Sequence, residues 1–377
     1  MDISIPTGLL QPVTTRAVLS VNGRKFNSWK SISINRSIAQ IAGEFSFSTG
    51  NRFAGNNEKW NIEEGDECTI DVADERVLTG YIDGINDGYT SNSHDITFSG
   101  RDKTADLVDC PYDVFTLESE FLNQTFLQII TKLADSVGVG VVLDTLLIGD
   151  TDLSKLIPEY RIQTGEMLYE SISKLCQKHG VLVITTGDGD ILLTRAGLSM
   201  ANDLLESGVN IKANRVIRSL KDRYSVYYGE GQTTTTAFSS DPIAEGKFED
   251  EYVKSKRFRP YIIMLGDLAT NDTCQKAAAW EGRIRMGGSG KVETTVRKWT
   301  QTNGKIWPLN GLVNMIDKKL GLGKKDKLLI AGIALNLDSS GGELTTMSLV
   351  HPDTFVLKER APIKSTDGLN AFGRSMK

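Results

Sequence analysis

The chain carries the same order of short sequence patterns twice, first between Trp60 and Asp102 and again between Trp307 and Asp353. Each copy has a tryptophan, a glycine, two strand-like segments, a polar turn and a final alternating strand. The strand-like segments are residues 68–72, 77–83 and 96–99 in the first copy, and residues 313–317, 328–333 and 344–349 in the second. This repetition predicts two similar β modules, which suit symmetric assembly better than catalysis at a single cleft. Chance similarity between short strands and turns is the alternative interpretation.

Composition limits the classes of protein that need to be considered. The chain has 377 residues, 40% hydrophobic and 24% charged, as expected for two or three globular domains. No apolar run approaches the ~20 residues that span a bilayer, and residues 1–6 do not resemble a secretory signal. We therefore expect the protein to be made and folded in a cytoplasm. The four cysteines are widely separated, which predicts buried or neutral side chains rather than a disulfide framework.

The charge balance argues against tight binding of nucleic acid. The net charge is −5, whereas nucleic-acid binders neutralise phosphates with clustered Lys and Arg. An acidic chain is still compatible with a wall past which DNA slides without sticking.

The patterns indicate a mainly β protein of the α+β class. Period-two alternation at residues 31–34 and 44–48, with an Asn22-Gly23 turn signal, predicts a small antiparallel barrel or sandwich in residues 1–104. Residues 105–208 are predicted to form an α/β insertion. Its first helix is indicated by an N-cap at Asn123, a stop at Gly138, and apolar residues on one face; these are Leu122, Phe126, Ile129, Leu133 and Val137. A second helix is predicted to end at Gly180, before a hairpin that turns at residues 187–190.

The second β module is predicted to be split. Its strands are expected in residues 209–238 and 291–357, on either side of an insertion at residues 239–290. That insertion contains an apolar segment at residues 261–265 and a helix bearing Trp280, and we expect it to pack with the α/β domain. Residues 358–377 are polar and basic, which predicts a flexible tail unless a partner orders it.

No pattern in the chain calls for catalysis, a cofactor or a metal ion. The histidines His94, His179 and His351 are not near other metal ligands at a ligand spacing. The acidic clusters at residues 63–64 and 249–251 are the candidates for a carboxylate pair that cleaves glycosides. They lack a flanking apolar pocket that would raise one pKa, so solvated loops are the simpler interpretation.

Several clusters of residues resemble the baseplate hub proteins of phage Mu and Mu-like contractile-tailed phages, a family related to the T-even phage baseplate hub and to the hub part of type VI secretion spike proteins. The clusters are residues 163–166, 180–182, 188–190, 277–283, 296–299, 304–310, 328–331 and 345–349. The resemblance covers nearly the whole chain and lies in the order and spacing of these clusters.

The resemblance implies a structural protein of the virion baseplate, assembled in the host cytoplasm. It implies two small antiparallel, tube-like β-barrels in each chain, and a homotrimer whose six barrels form a ring. Such a ring would match the sixfold tail tube on one face and the threefold central spike on the other, and let DNA pass. Tape-measure and other baseplate proteins are further expected partners, and no membrane insertion is expected. Members of the family have no catalytic centre.

Six residues are candidates for the interfaces of such an assembly. Four are the tryptophans beside turns of the β modules, and two are arginines of the predicted late helix: Trp29, Trp60, Trp299, Trp307, Arg283 and Arg285. Burial in their own module is the alternative for the tryptophans, and a solvated helix face for the arginines. A carbohydrate- or receptor-binding tail-tip protein and a peptidoglycan hydrolase are the alternative functions.

Overall fold

The computed structural model describes residues 17–50, 61–91, 94–197, 199–232, 243–265, 269–322, 327–338 and 342–356. The first β module is formed by β1 (Ala17–Val21), β2 (Arg24–Phe26), β3 (Ser31–Ser37), β4 (Glu44–Gly50), β5 (Glu67–Val72), β6 (Glu75–Tyr89) and β7 (His94–Asp102). Neighbouring strands are antiparallel, in the order β3-β4-β7-β6-β5-β1-β2. Alternate residues of β4, including Phe45 and Phe47, are buried, as the period-two pattern predicts.

An α/β domain with its own hydrophobic core follows. Its elements are α1 (Ala105–Asp109), β8 (Glu120–Thr125), α2 (Phe126–Asp135), β9 (Val141–Leu143), the 3-10 helix η1 (Thr145–Leu147), β10 (Leu156–Arg161), α3 (Leu168–His179), β11 (Leu182–Thr185) and β12 (Ile191–Thr194). β9, β12 and β11 form one sheet, and β10 pairs with β8 in another. The predicted N-cap at Asn123 is wrong, because this residue lies in β8 and α2 begins with a capping box of Thr125 and Gln128. Gly180 ends α3 in the left-handed conformation, as predicted.

The rest of the chain contains the second β module and its insertion. The elements are β13 (Ser199–Met200), β14 (Leu205–Glu206), β15 (Ile211–Arg218), β16 (Val226–Gln232), β17 (Ile243–Glu249), α4 (Glu251–Lys254), β18 (Pro260–Leu265), α5 (Asn271–Gly288), β19 (Gly290–Arg297), β20 (Gly311–Ile316), β21 (Lys327–Asp338), β22 (Gly342–Val350) and the 3-10 helix η2 (Pro352–Phe355). None of the helices in the described part of the chain is long and apolar enough to cross a membrane.

The two β modules share one strand order. In the second module the order is β15-β19-β22-β21-β20, again with antiparallel neighbours. This matches β3-β4-β7-β6-β5 strand by strand in the first module. The corresponding strands β6 and β21 also carry a bulge at the same place, after Ile82 and after Ile330. Chance similarity of short strands does not account for a shared order with a shared irregularity.

The ends of the two modules are also alike. A buried polar residue lies at the end of the last strand of each module. In the first module it is Asp102, the final residue of β7, and in the second it is His351, which directly follows β22; each is 2% exposed. Each side chain accepts a hydrogen bond from the backbone N–H two residues later, that of Thr104 at 3.0 Å and that of Asp353 at 3.2 Å. The duplication therefore extends to the local hydrogen bonding that closes each module.

The described strands do not form two separate closed barrels. Instead β21 pairs with β3, so that the two modules join edge to edge in one continuous sheet. Their buried residues also form one shared core, with Ile34, Phe47 and Phe98 from the first module and Leu335 and Met347 from the second. The pairing of β21 with β3 explains why neither module closes into a barrel of its own. The backbone groups at these edges are hydrogen-bonded to the other module rather than to a strand of the same module.

The insertion begins earlier than predicted. β16, which was expected to belong to the second module, pairs with β17 and β18 in a small separate sheet. α5 packs on that sheet and on η2, rather than on the α/β domain as expected. The base of the insertion is held by a buried ion pair in which Arg223 donates to Asp250 at 3.0 Å and to the hydroxyl of Ser289 at 3.2 Å.

Candidate assembly surface

The junction between the two modules shows how edges of this fold join. β21 and β3 pair antiparallel over six residues of each strand, from Gly332 opposite Ser37 to Leu337 opposite Ile32. The backbone N–H of Ile38 extends the contact by donating to the carbonyl of Ala331 at 2.8 Å. Most of the residues at this junction are buried or half-buried. We call it the closed junction.

Besides the three-residue strand β2, which ends the sheet at its far side, two longer strand edges of the same sheet have no strand partner among the described residues. β15 ends the strand order of the sheet and pairs with β19 along one side. On its other side, among the described residues, it has only an isolated bridge from Ile211 to Ser207. The distal half of β6, residues 83–89, pairs with β7 along one side only, since β5 reaches no farther than Tyr81. Unpaired strand edges present backbone N–H and C=O groups that can pair with another chain. We call these two surfaces the β15 edge and the β6 edge.

The β6 edge projects as a hairpin arm. Residues 86–89 are exposed on both faces, and Tyr89 at the tip of β6 is 83% exposed. The ring of Tyr89 lies 6.1 Å from that of His94, which is opposite it in β7. A large aromatic side chain held this far from the core is typical of a residue that contacts a partner.

The two open edges differ in charge. Acidic side chains Asp83 and Asp87 lie on the β6 edge, and each has a partner on β7, Arg101 at 2.8 Å and His94 respectively. The β15 edge carries three basic side chains, Lys212, Arg215 and Arg218. Arg215 lies 3.8 Å from Glu293 of β19, so charges on both edges have partners within the chain. The two edges still differ in the sign of their side-chain charges, which favours one docking orientation over others.

A separate apolar surface lies on the insertion. β18 is an edge strand of the small sheet, and the alternate residues Ile262 and Met264 are exposed. Phe258, just before this strand, is exposed on the same period-two spacing. The predicted apolar segment at residues 261–265 is thus a half-exposed edge strand rather than a core element.

Three of the candidate tryptophans are buried in the shared core. Trp29 packs edge-on against Phe47 with ring centroids 4.8 Å apart, and Trp299 donates to the carbonyl of Asn336 at 3.0 Å. Trp307 is also buried. These three indoles therefore pack within their own chain, which was the alternative left open for them. Trp60 lies outside the described residues.

The two candidate arginines lie on α5 and are half-buried. Arg285 pairs with Glu281 one turn earlier at 2.7 Å, and its guanidinium lies 4.3 Å from the ring centre of Tyr261. Its charge is therefore used within the insertion. A contact of Arg283 with a neighbouring chain stays a prediction. The open edges were missed by the sequence reasoning, because a pattern predicts a strand but not which of its sides is paired.

The acidic cluster at residues 249–251 has a structural role in the insertion. Hydrogen bonds from Lys247 and Lys254 lower the pKa of Glu249 to about 2, which keeps this carboxylate charged. Its neighbour Asp250 is held in the buried ion pair at the base of the insertion. Burial raises the pKa of Cys68 to about 12, so its thiol is unreactive. Among the described residues, no group of His, Cys, Asp and Glu has the arrangement of a metal site.

Comparison with known proteins identifies the family. Three family models match in succession: the N-terminal domain of Mu phage baseplate assembly protein GpP-like at residues 16–102, the second domain of baseplate hub protein gp44-like at residues 104–195, and the fourth domain of Mu phage baseplate assembly protein GpP at residues 270–358. The baseplate hub protein gp44 of Escherichia phage Mu is 29% identical over 368 residues, which are 96% of this chain and 94% of that protein.

Solved structures agree with this result. The crystal structure of the 43 kDa tail protein of prophage MuSo2 from Shewanella oneidensis matches with a TM-score of 0.75 and 31% identity, covering 91% of this chain and 99% of that chain. The E. coli protein c3393, described as a component of the type VI secretion system with structural similarity to the T4 tail proteins gp27 and gp5, matches with a TM-score of 0.51. At 11% identity, covering 89% of this chain and 76% of that chain, c3393 shares the fold alone. The chain belongs to the family of baseplate hub proteins of Mu-like phage tails.

Proposed function

We propose that this chain forms a homotrimeric ring that adapts the sixfold tail tube to the threefold central spike and lets DNA pass through its centre. In this role the chain is a structural component of the baseplate, without a catalytic centre. The tube protein would bind one face of the ring and the spike protein the other.

The observation that carries the proposal is the strand order shared by the two modules. A chain with two equivalent modules presents six near-equivalent units when three copies assemble, and the same three copies keep threefold symmetry for a trimeric partner. A chain with one module would need six copies to contact a sixfold tube in this way. The net charge of −5 fits a channel from which DNA is not retained.

The test is the mass and shape of the purified protein. Size-exclusion chromatography with light scattering at micromolar concentration should report three chains, and electron micrographs should show a ring with a central hole. Co-purification with the tube and spike proteins should follow. A stable monomer that binds glycans on an array, and neither tail protein, would favour the receptor-binding alternative and contradict the proposal.

A further inference from the structure

We propose that neighbouring copies of this chain join by antiparallel pairing of the β6 edge of one copy with the β15 edge of the next. This contact would repeat, between chains, the closed junction that β21 and β3 form within the chain. The inference rests on the proposed oligomeric hub, and it names the strands and the register through which the copies meet.

The duplication supplies the first step. Since β6 corresponds to β21 and β15 corresponds to β3, the two open edges are the counterparts of the two edges that meet at the closed junction. The corresponding residues are those that pair with one another, strand by strand, across four neighbouring strands of each module. These are Ile34, Phe45, Gly100 and Ile82 in the first module and Val216, Val292, Leu349 and Ile330 in the second.

The correspondence fixes a register. Aligning the bulges after Ile82 and Ile330 places residues 84–89 of β6 on residues 332–337 of β21, and residues 214–219 on residues 32–37. The pairs expected between chains are Gly84–Ser219, Ile85–Arg218, Asn86–Ile217, Asp87–Val216, Gly88–Arg215 and Tyr89–Asn214.

At the first two positions of the expected pairing, the residues of the open edges are identical to those of the closed junction. At the closed junction, Gly332 lies opposite Ser37 and Ile333 opposite Arg36. The first two pairs expected between chains have the same residues in the same places, a glycine opposite a serine and an isoleucine opposite an arginine. Residues that already meet in this geometry within one chain can meet in it between two.

The local geometry agrees as well. The hydroxyl of Ser37 accepts a hydrogen bond from the backbone N–H two residues later, that of Ala39, at 3.1 Å. The hydroxyl of Ser219 accepts one from the N–H of Lys221 at 3.2 Å. The β15 edge therefore ends in the same turn as its paired counterpart, although no strand lies against it among the described residues.

Charge favours the same pairing. In the expected register Arg218 lies opposite Ile85, so Asp87 is its diagonal neighbour on the same face of the sheet. Diagonal neighbours in antiparallel strands are about 7–8 Å apart, within reach of a long arginine side chain. The opposite signs of Asp87 and Arg218 favour pairing of the β6 edge with the β15 edge over pairing of two copies of either edge.

The partner that binds these edges is a second copy of this chain, because the β6 edge and the β15 edge are different surfaces whose side chains carry charges of opposite sign. Each chain offers one β6 edge and one β15 edge, so the contact is head-to-tail and can close into a ring. The closed junction then alternates with the interchain junction around that ring, and every module meets its neighbours through the same pair of strands.

Paired cysteines test the register directly. Asn86→Cys and Ile217→Cys should face each other across the chain boundary, on the solvent side of the sheet. Opposite residues of antiparallel strands have Cα atoms about 4.5–5.5 Å apart, within the range that a disulfide spans. Asn86→Cys with Arg218→Cys is the matched control, because residue 218 points to the other face. Both are made with Cys110→Ser, since Cys110 is the one native cysteine of the four that is not buried.

Oxidation of the first double variant should give covalent dimers and trimers on a non-reducing gel, and the control should give monomers. A trimer by light scattering that forms no disulfide, or equal disulfide formation in the control, would overturn the strand pairing while the proposed hub stands. A chain that is monomeric throughout would overturn both.

Discussion

The closed junction and the two open edges have the same strand order and bulge but differ in side chains. At the closed junction Leu335 lies opposite Ile34, and both side chains are buried in the shared core. The corresponding pair at the open edges is Asp87 and Val216, one exposed and the other half-buried. The closed junction forms whenever the single chain folds. The two open edges, in contrast, must remain soluble until another chain binds. Charges on an open strand edge are a known means of preventing uncontrolled pairing.

The closed junction and the open edges also contribute differently to the stability of the single chain and to the association of chains. The closed junction is part of one core that spans both modules, so its loss affects the fold of the single chain. Ile85, Ile211 and Val216 of the open edges are partly buried against that core, whereas Asp87 is exposed. Changes at the exposed positions of these edges should therefore affect the association of chains first.

The largest effect is expected at the closed junction. Leu335→Ala removes a buried side chain and should lower the free energy of unfolding by roughly 2–5 kcal/mol. Asp87→Ala, at the corresponding position of the β6 edge, is the matched control and should change it by less than about 0.5 kcal/mol. Chemical denaturation of the monomer in dilute solution measures both. Equal losses from the two variants would contradict the distinction between the closed and open edges.

A smaller effect on association is expected from charge reversal at the open edges. Asp87→Arg places two positive charges near each other across the proposed boundary and should weaken the trimer about tenfold or more. Combining it with Arg218→Asp should restore most of the affinity, because the attraction is re-formed with opposite polarity. Sedimentation equilibrium of the two single variants and the double variant measures the coupling. Purely additive effects would count against the diagonal contact.

The smallest effect concerns the two residues that close the modules. Burial lowers the pKa of His351 below its ordinary value, so the unfolded chain binds a proton more readily than the folded one. The free energy of unfolding should therefore fall, by about 1.4 kcal/mol for each unit of pKa difference, as the pH drops from the ordinary histidine pKa towards the folded value.

The corresponding residue of the first module has the opposite pH response. Burial raises the pKa of Asp102, so the folded chain holds this proton more tightly, and the contribution falls as the pH rises through the ordinary aspartate range and above. His351→Asn keeps an acceptor for the N–H of Asp353 and removes the titration. Thermal unfolding of this variant between pH 5 and 7, with the unmodified chain as control, should show a weaker pH dependence. An unchanged profile would assign the acid sensitivity to other groups.

The sequence predicted the duplication because the alternation in strands such as β4 and β22 is set by burial on one face, which is a local property. The end of α3 at Gly180 was predicted because a glycine that stops a helix is also a local signal. Pairing partners are not local. β16 has a strand pattern, but only the folded chain shows that it pairs with β17 and β18 rather than with the second module. The open edges were missed because an unpaired strand side leaves no signal in the sequence.

Tryptophan positions illustrate the same limit. Trp29 and Trp299 lie next to turns, where an indole is either an anchor for a partner or part of the core. Their contacts with Phe47 and with the carbonyl of Asn336 place them in the core. Exposure on an open strand edge, rather than residue type, directs attention to Tyr89.

A structure of the assembled ring at side-chain resolution tests the account most directly. We predict that Asn86 of each copy lies opposite Ile217 of the next, so that strand pairing of one kind recurs at every boundary between modules. Copies that meet instead through the apolar β18 strand of the insertion, with both open edges facing solvent, would contradict the account.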